Sequence, residues 1–305
     1  MTVLGFDTSN YTTSAAWFDG TRGSNSGRLL DVKSGALGLR QSEALFQHVK
    51  RLPEIVETLK ATCRDASISA VGASTRPRAV EGSYMPCFLA GESQGKVLSS
   101  ALNVPFYAFS HQQGHLAAVL WSADRLELME QEFLAWHLSG GTTELLHVLP
   151  GLAAEKIGGT EDLSAGQLVD RTGQLLGLRF PAGKALDALA GTAESEPFPV
   201  KVREMHFSLS GMENKVQRMH AAGVAPEETA AFALGCVGGA VKTATEQALS
   251  QFGDLPVVFT GGVASNSQLR RTMEPLGAIF GAPQYSTDNA MGIAVLTWFA
   301  EKQHG

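Results

Sequence analysis

Apolar positions open the chain as a short run, residues 3–6, followed by a polar turn from Asp7 to Thr13 and a second apolar strand through Ala15, Ala16 and Trp17. That order predicts a hairpin. It recurs at mid-chain: residues 133–138 are apolar, Ser139-Gly140-Gly141-Thr142-Thr143 make a turn, and residues 145–149 are apolar again. Each unit stands early in its half, so the pattern reads either as a duplicated lobe or as two hairpins alike by chance. Between them, Leu45, Phe46, Val49 and Leu52 form a helical stripe, and Pro53 starts a second helix carrying Ile55, Val56 and Leu59. Strand-like runs follow at 70–74 and 105–109, with a helix over about 88–102 between them. Residues 226–251 read as a long helix in which Gly235, Gly238 and Gly239 invite close approach by another backbone or a ligand. It leads into a buried strand at 257–260. The order is mixed α/β.

With 305 residues the chain is too long for one compact core and suits two lobes. The expected boundary is near residues 108–115, giving lobes over 1–108 and 109–288. A hydrophobic share of 44% and a charged share of 18% are ordinary for a globular protein. The net charge of −6 excludes nucleic-acid binding through a globally basic surface, leaving only local clusters. Arg76, Arg78, Lys201 and Arg203 supply these, and each also reads as solvated loop charge. Cys63, Cys87 and Cys236 show no Cys-x-x-Cys spacing, which fits a reducing compartment, and none of the three reads as a zinc ligand. The N-terminus lacks a basic segment leading into an apolar one, and no stretch is long enough to span a bilayer. The expectation is a cytoplasmic protein with no membrane partner.

His111 and His115 stand four residues apart, which on a helix stacks both imidazoles on one face where they can share a divalent metal. The same spacing also serves a polar helix face or a satisfied core pair. Joined by Asp288, the pair makes a two-histidine, one-carboxylate set suited to zinc or ferrous iron, although Asp288 alone reads as a helix N-cap. The turn Ser139, Gly140, Gly141 and Thr142 lets main-chain N–H groups face an anion such as phosphate, or is a plain hairpin turn. A strand runs into Gly261 and Gly262 and then a helix, where a nucleotide can lie against bare backbone; Asn266 there reads as a base or ribose contact or an N-cap. Asp170 reads as a ribose ligand or a surface ion pair, with Gly183 leaving room beside it.

In this order the segments Ser110-His-Gln-Gln-Gly-His115, Leu138-Ser-Gly-Gly-Thr142, Ala165-Gly166 with Asp170, Leu175-Leu-Gly-Leu178 with Pro181-Ala-Gly183, Phe207-Ser-Leu-Ser-Gly211, Gly261-Gly-Val-Ala-Ser-Asn266 and Thr287-Asp-Asn289 cover nearly the whole chain. The chain resembles the TsaD-type tRNA N6-adenosine threonylcarbamoyltransferases, once called glycoproteases. The resemblance implies an α/β, actin-like or sugar-kinase-like ATPase fold of two duplicated lobes around a nucleotide cleft, with the helix over 289–305 packed back on the first. It implies one metal, iron or zinc, on His111, His115 and Asp288. An adenine nucleotide or threonylcarbamoyl-adenylate would lie on Ser139 to Thr142, Asp170, Gly183, Gly261, Gly262 and Asn266. The activity implied is transfer of threonylcarbamoyl to N6 of an adenine in tRNA. Partners implied are the adenylate, tRNA, and a paralogous actin-fold protein or a second copy.

The chain departs from the family at four places. Family members carry Glu-Thr-Ser-Cys-Asp-Glu-Thr after the first strand, whereas this chain has Asp7-Thr-Ser-Asn-Tyr-Thr-Thr13, so Tyr11 and Thr12 replace two acidic residues and leave the catalytic groups unassigned. Ser74-Thr-Arg-Pro-Arg78 replaces a Gly-Pro-Gly loop, Thr142 a histidine and Gln167 a glutamate. These changes keep two alternatives open: a metal- and nucleotide-binding scaffold or regulator, and carbamoyl transfer to another acceptor.

Overall fold

The computed structural model describes residues 1–9, 11–32, 39–63, 67–191, 198–287 and 289–304. They form two compact units, Met1–Met129 with Thr287–Gly305, and Glu130–Ser286.

In the first unit, β1 (Thr2–Asp7), β2 (Thr12–Phe18), β3 (Gly23–Leu29), β4 (Ile68–Arg76) and β5 (Phe106–Ser110) pair in the order β3-β2-β1-β4-β5. The predicted first hairpin is present, with Asp7 opposite Ser14, while β1, β4 and β5 run parallel. Helices α1 (Gln41–Lys60), α2 (Leu89–Leu102), α3 (His111–Ser122) and, from the end of the chain, α9 (Met291–His304) complete the unit. Phe6, Ala15, Val71 and Ala73 meet Leu52, Ile55 and Leu59 of α1 on one face of the sheet. The lobe boundary expected at residue 108 lies instead between Met129 and Glu130. The reason is that α3 packs along α9 and buries Leu116, Ala117, Val119 and Leu120, so the histidine helix stays with the first unit.

Helix α1 corrects two expectations. It runs unbroken through Pro53, and its buried face is Ala44, His48, Arg51, Leu52, Ile55 and Leu59, whereas Phe46 and Val49 are exposed. An interior proline costs a helix about 3 kcal/mol, but burying each large aliphatic side chain returns about 1.5–3 kcal/mol. Leu52, Ile55 and Leu59 continue one stripe across the proline, so burial outweighs the lost hydrogen bond. Pro53 itself is solvent-exposed. Pro53→Ala is therefore expected to stabilise the protein by about 1–3 kcal/mol, read as a higher urea midpoint; a lower midpoint would show that the helix needs its proline.

In the second unit, β6 (Phe133–Leu138), β7 (Thr143–Leu149), β8 (Ala153–Thr160), β9 (Val202–Arg203), β10 (His206–Phe207), β11 (Val257–Thr260) and β12 (Ile279–Phe280) pair in the order β12-β11-β6-β7-β8-β10-β9. Read from the other edge, β8-β7-β6-β11-β12 repeats the order and directions of β3-β2-β1-β4-β5, so the two hairpins are equivalent parts of a duplicated topology. Helices α4 (Ala165–Leu175), α5 (Gly183–Ala190), α6 (Ser210–Ala221), α7 (Pro226–Phe252) and α8 (Ser267–Met273) pack around this sheet. The core gathers Leu134, Trp136 and Leu145 against Cys236, Val237, Ala240, Val241 and Ala244 of α7. Burial pushes the Cys236 thiol up to about 12, so it packs as a small apolar group. Close approach along α7 is real: a side chain on Gly239 would stand 2.0 Å from the carbonyl oxygen of Phe198, whose N–H donates to the Gly235 carbonyl at 2.9 Å. No helix among the described residues is long and apolar enough to cross a membrane.

Candidate functional site

Strand β5 passes into α3 with no intervening loop. Ser110 is the N-cap, its hydroxyl accepting from Gln113 N–H while the Gln113 side chain reaches back to Ser110 N–H, so His111 is fixed as the first helical residue. At the end of β1, two strands away across β4, Asp7 is 1% exposed. Its Oδ2 lies 2.7 Å from His111 Nδ1, and its Oδ1 accepts from Ser9 N–H at 2.8 Å. A buried carboxylate on Nδ1 holds the proton there and leaves Nε2 as a lone pair.

That lone pair faces the second histidine. His111 Nε2 and His115 Nε2 are 2.9 Å apart, and the rings meet edge to face with centroids 4.3 Å apart. The helical spacing thus converges both nitrogens on one point. Two nitrogens on a tetrahedral ion stand about 3.4 Å apart at ordinary zinc–nitrogen lengths of about 2.05 Å, so a small ring rotation accommodates one. The donor chemistry fits a borderline divalent ion, and the carboxylate behind His111 is the usual means of orienting a metal-bound imidazole. Among the described residues no group of three or more His, Cys, Asp or Glu side chains is arranged to hold a metal. Asp7 acts on the far side of the His111 ring, and Asp288 lies outside the described residues.

The sequence reading missed Asp7. It treated residues 7–13 as one polar turn that had lost its acidic pair, whereas the strand's last residue carries a carboxylate that meets His111. Of the substituting residues, Tyr11 accepts from Leu30 N–H through its carbonyl at 2.7 Å, and Thr12 begins β2 opposite Leu29. Thr13 hydrogen-bonds buried His48 at 2.9 Å, tying the same loop to α1.

In the second unit, the Ser139–Thr142 and Gly261–Gly262 turns follow the ends of parallel β6 and β11, while Asp170 lies on α4 and Gly183 starts α5. Ser139 N–H donates to the Thr142 carbonyl at 2.8 Å, and Thr142 N–H donates to Ser139 Oγ at 3.1 Å, closing the turn. Gly140 and Gly141 have open space where side chains would stand, and neither adopts positive φ. Hairpin geometry therefore does not demand glycine, and what glycine provides is bare backbone. The start of α4 is clamped against this turn: Ser164 Oγ donates to the Gly140 carbonyl at 2.8 Å and Ala165 N–H to Thr143 Oγ1 at 2.7 Å. Gln167 closes the capping box with Ser164, a task an amide performs as well as a carboxylate.

Gly261 abuts the end of β6. Its φ is +93°, and a side chain there would meet the Leu138 carbonyl oxygen at 2.2 Å. Asn266 caps α8 by accepting from Leu269 N–H at 2.9 Å, and its Nδ2 donates to Asp187 Oδ1 at 2.9 Å. Asp187 also accepts from Ser267 N–H at 2.9 Å and Ser267 Oγ at 2.8 Å. Sequence reasoning overlooked Asp187, which locks the Asn266 amide to α5. Asp170 Oδ1 accepts from Ala182 N–H at 2.8 Å, holding the segment that leads to Gly183. No bond to its Oδ2 is seen among the described residues. Arg171, its sequence neighbour, pairs instead with Glu213 at 3.1 Å, and among the described residues Asp170 shows no ion pair, the other reading given for it. Beyond these, Asp162 fastens the Phe207–Gly211 motif. Burial would raise its carboxyl, but hydrogen bonds from Ser208, Ser210 and the N–H groups of Leu209 and Leu163 outweigh burial and hold it well below the usual range.

The arrangement offers two kinds of chemistry. The first unit presents two convergent imidazole nitrogens within hydrogen-bond distance, the His111 ring backed by a carboxylate; the second presents glycine turns and helix starts able to hold a phosphorylated ligand. The profile of the family described as TsaD, tRNA N6-adenosine threonylcarbamoyltransferase, matches residues 36–295. A protein of that description from Thermus thermophilus is 33% identical over 263 residues, covering 83% of this chain and 77% of its own. Another, from a Sulfurihydrogenibium species, is 32% identical over 324 residues, covering 100% and 92%. Among solved structures, component A of (R)-2-hydroxyglutaryl-CoA dehydratase from Acidaminococcus fermentans superposes with a TM-score of 0.59 at 14% identity over 99% of each chain. That likeness is one of fold, the actin-like ATPase α/β fold.

Proposed function

The chain belongs to the TsaD family of tRNA N6-adenosine threonylcarbamoyltransferases, and from that premise we propose that it moves threonylcarbamoyl from its adenylate to the N6 amine of an adenine in tRNA. The observation that carries this reading is the convergence of His111 Nε2 and His115 Nε2 with Asp7 behind the first ring. The amine nitrogen bonds to the carbamoyl carbon, that carbon's bond to the phosphate oxygen breaks, AMP leaves, and the nitrogen loses a proton. Exocyclic adenine nitrogen is weakly basic, so holding it close to the carbonyl contributes more than a strong base would.

In this reading the two histidines, with Asp288 as third ligand, hold one divalent ion, iron or zinc. When bound, the ion supplies Lewis acidity toward a carbonyl or phosphate oxygen. Asp7 fixes the His111 tautomer so that its lone pair is available. The Gly140 and Gly141 N–H groups take the adenylate phosphate, Asp170 Oδ2 a ribose hydroxyl, and Gly183 and Gly262 leave room for the nucleoside beside Asn266, while Gly261 lets the turn close against β6. The scaffold alternative gains nothing from the two relatives above, both of which carry the enzyme's description.

The test is direct. Purified protein given threonylcarbamoyl-adenylate and unmodified tRNA should yield the modified nucleoside in a nuclease digest analysed by mass spectrometry. Absence of product across protein loaded with iron or with zinc would reject the reading.

A further inference from the structure

The loop that follows β4 is fastened to the two residues flanking His111. Arg76 pairs with Ser110 in the sheet, across a bulge in which Thr75 is the extra residue and its Oγ1 donates to the Phe109 carbonyl at 3.3 Å. One residue on, the Pro77 carbonyl accepts from Gln112 N–H at 3.1 Å. The segment 76–77 is thus bonded on either side of a histidine whose Nε2 belongs to the reactive cluster.

This loop is charged outward. Arg76 and Arg78 are both exposed, on either side of half-buried Pro77, whose ring stiffens the backbone between them. Arg78 N–H donates to Ser83 Oγ at 3.0 Å, which folds the loop back, and Tyr84 presents an aromatic ring that is 62% exposed. The loop carries a single carboxylate, Glu81. In a chain of net charge −6, an anionic polymer can be held only where cations are gathered locally. Two guanidinium groups on a stiff turn with an exposed aromatic ring are what a single-stranded polynucleotide requires: phosphate contacts beside a stacking platform.

Resting on the function proposed above, we propose that the Arg76–Tyr84 loop binds the RNA acceptor, with Arg76 and Arg78 on phosphodiester groups flanking the target adenine and Tyr84 stacking on a neighbouring base. The loop then sets which nucleotide reaches the histidines, acting on acceptor binding rather than on the transfer step.

The experiment compares wild type with R76A/R78A and R76K/R78K in filter binding of an unmodified tRNA transcript between 50 and 200 mM salt, alongside steady-state transfer kinetics. Each single-strand phosphate contact contributes about 0.7 to the slope of log affinity against log salt, so R76A/R78A should lower the slope magnitude by about 1.4. It should also weaken binding roughly tenfold at 50 mM salt and raise KM for RNA with kcat nearly unchanged, while R76K/R78K keeps most of the slope. Bound metal and AMP affinity should match wild type. An unchanged slope and KM in R76A/R78A, with product still formed, overturns the loop's role and leaves the transfer reaction standing. Loss of AMP affinity with unchanged RNA affinity also overturns it, assigning the arginines to the small-molecule phosphate. A wild type that neither makes product nor binds RNA overturns both.

Discussion

His111→Ala is expected to abolish transfer, lowering the rate at least a thousandfold, and to leave the purified protein without stoichiometric metal. The physical reason is that His111 is one of two nitrogens converging on a single point, and His115 alone cannot replace the pair. Activity loss alone would not separate a missing ligand from a disturbed fold. The companion variant is therefore Asp7→Asn, which keeps the shape of the side chain on His111 Nδ1 but removes its charge. Partners that act through a ligand typically change metal affinity by about 10–100-fold, so D7N should bind metal more weakly by that factor, measured by competition with a chelator. Its unfolding midpoint should stay close to wild type. Metal affinity equal to wild type in both variants would remove the histidine pair from the reaction.

Gly261→Ala should carry the largest cost in stability. Its φ of +93° with ψ of 159° is a conformation open essentially to glycine alone, costing another residue about 1–3 kcal/mol. The added carbon would stand 2.2 Å from the Leu138 carbonyl oxygen and 2.5 Å from its carbonyl carbon, backbone atoms that cannot rotate away. With an overpacking cost of about 1–3 kcal/mol, the total is about 2–6 kcal/mol. Neighbouring Gly262 is the control, since nothing lies within 4 Å of its missing side chain. Gly262→Ala should unfold within about 0.5 kcal/mol of wild type while weakening adenylate binding, because the added methyl fills space assigned to ligand. If the two alanines unfold alike, the tight junction of β6 and β11 contributes little to stability.

The contrast between these neighbours marks what the chain announced and what it concealed. Both hairpins and the Gly261-Gly262 turn were readable because apolar runs and glycine pairs are local signals, each contained in a short stretch of chain. The histidine pair was readable for the same reason: a spacing of four is a property of one helix. Asp7 was not, since its partner stands 104 residues away and nothing near it in sequence separates a buried carboxylate from a polar turn. Asp187 was hidden likewise, 79 residues from Asn266. Helix α1 misled for a different reason. Its buried face includes His48 and Arg51, which hydrophobic periodicity counts as solvent-facing, and that shifted the expected stripe onto exposed Phe46 and Val49. Arg51 is buried because its guanidinium donates to the Leu29 carbonyl and to Asp31, partners outside the helix altogether.

The repeated strand order has an electrostatic consequence. β1 with its turn and β6 with its turn occupy the same place in two copies of one topology, yet the first ends in a carboxylate and the second in bare glycine N–H groups. The same backbone element thus presents an anion in one unit and hydrogen-bond donors in the other. Exchanging the two turn sequences would therefore place like charge where each ligand group is expected, so the topology is repeated while the electrostatics are not.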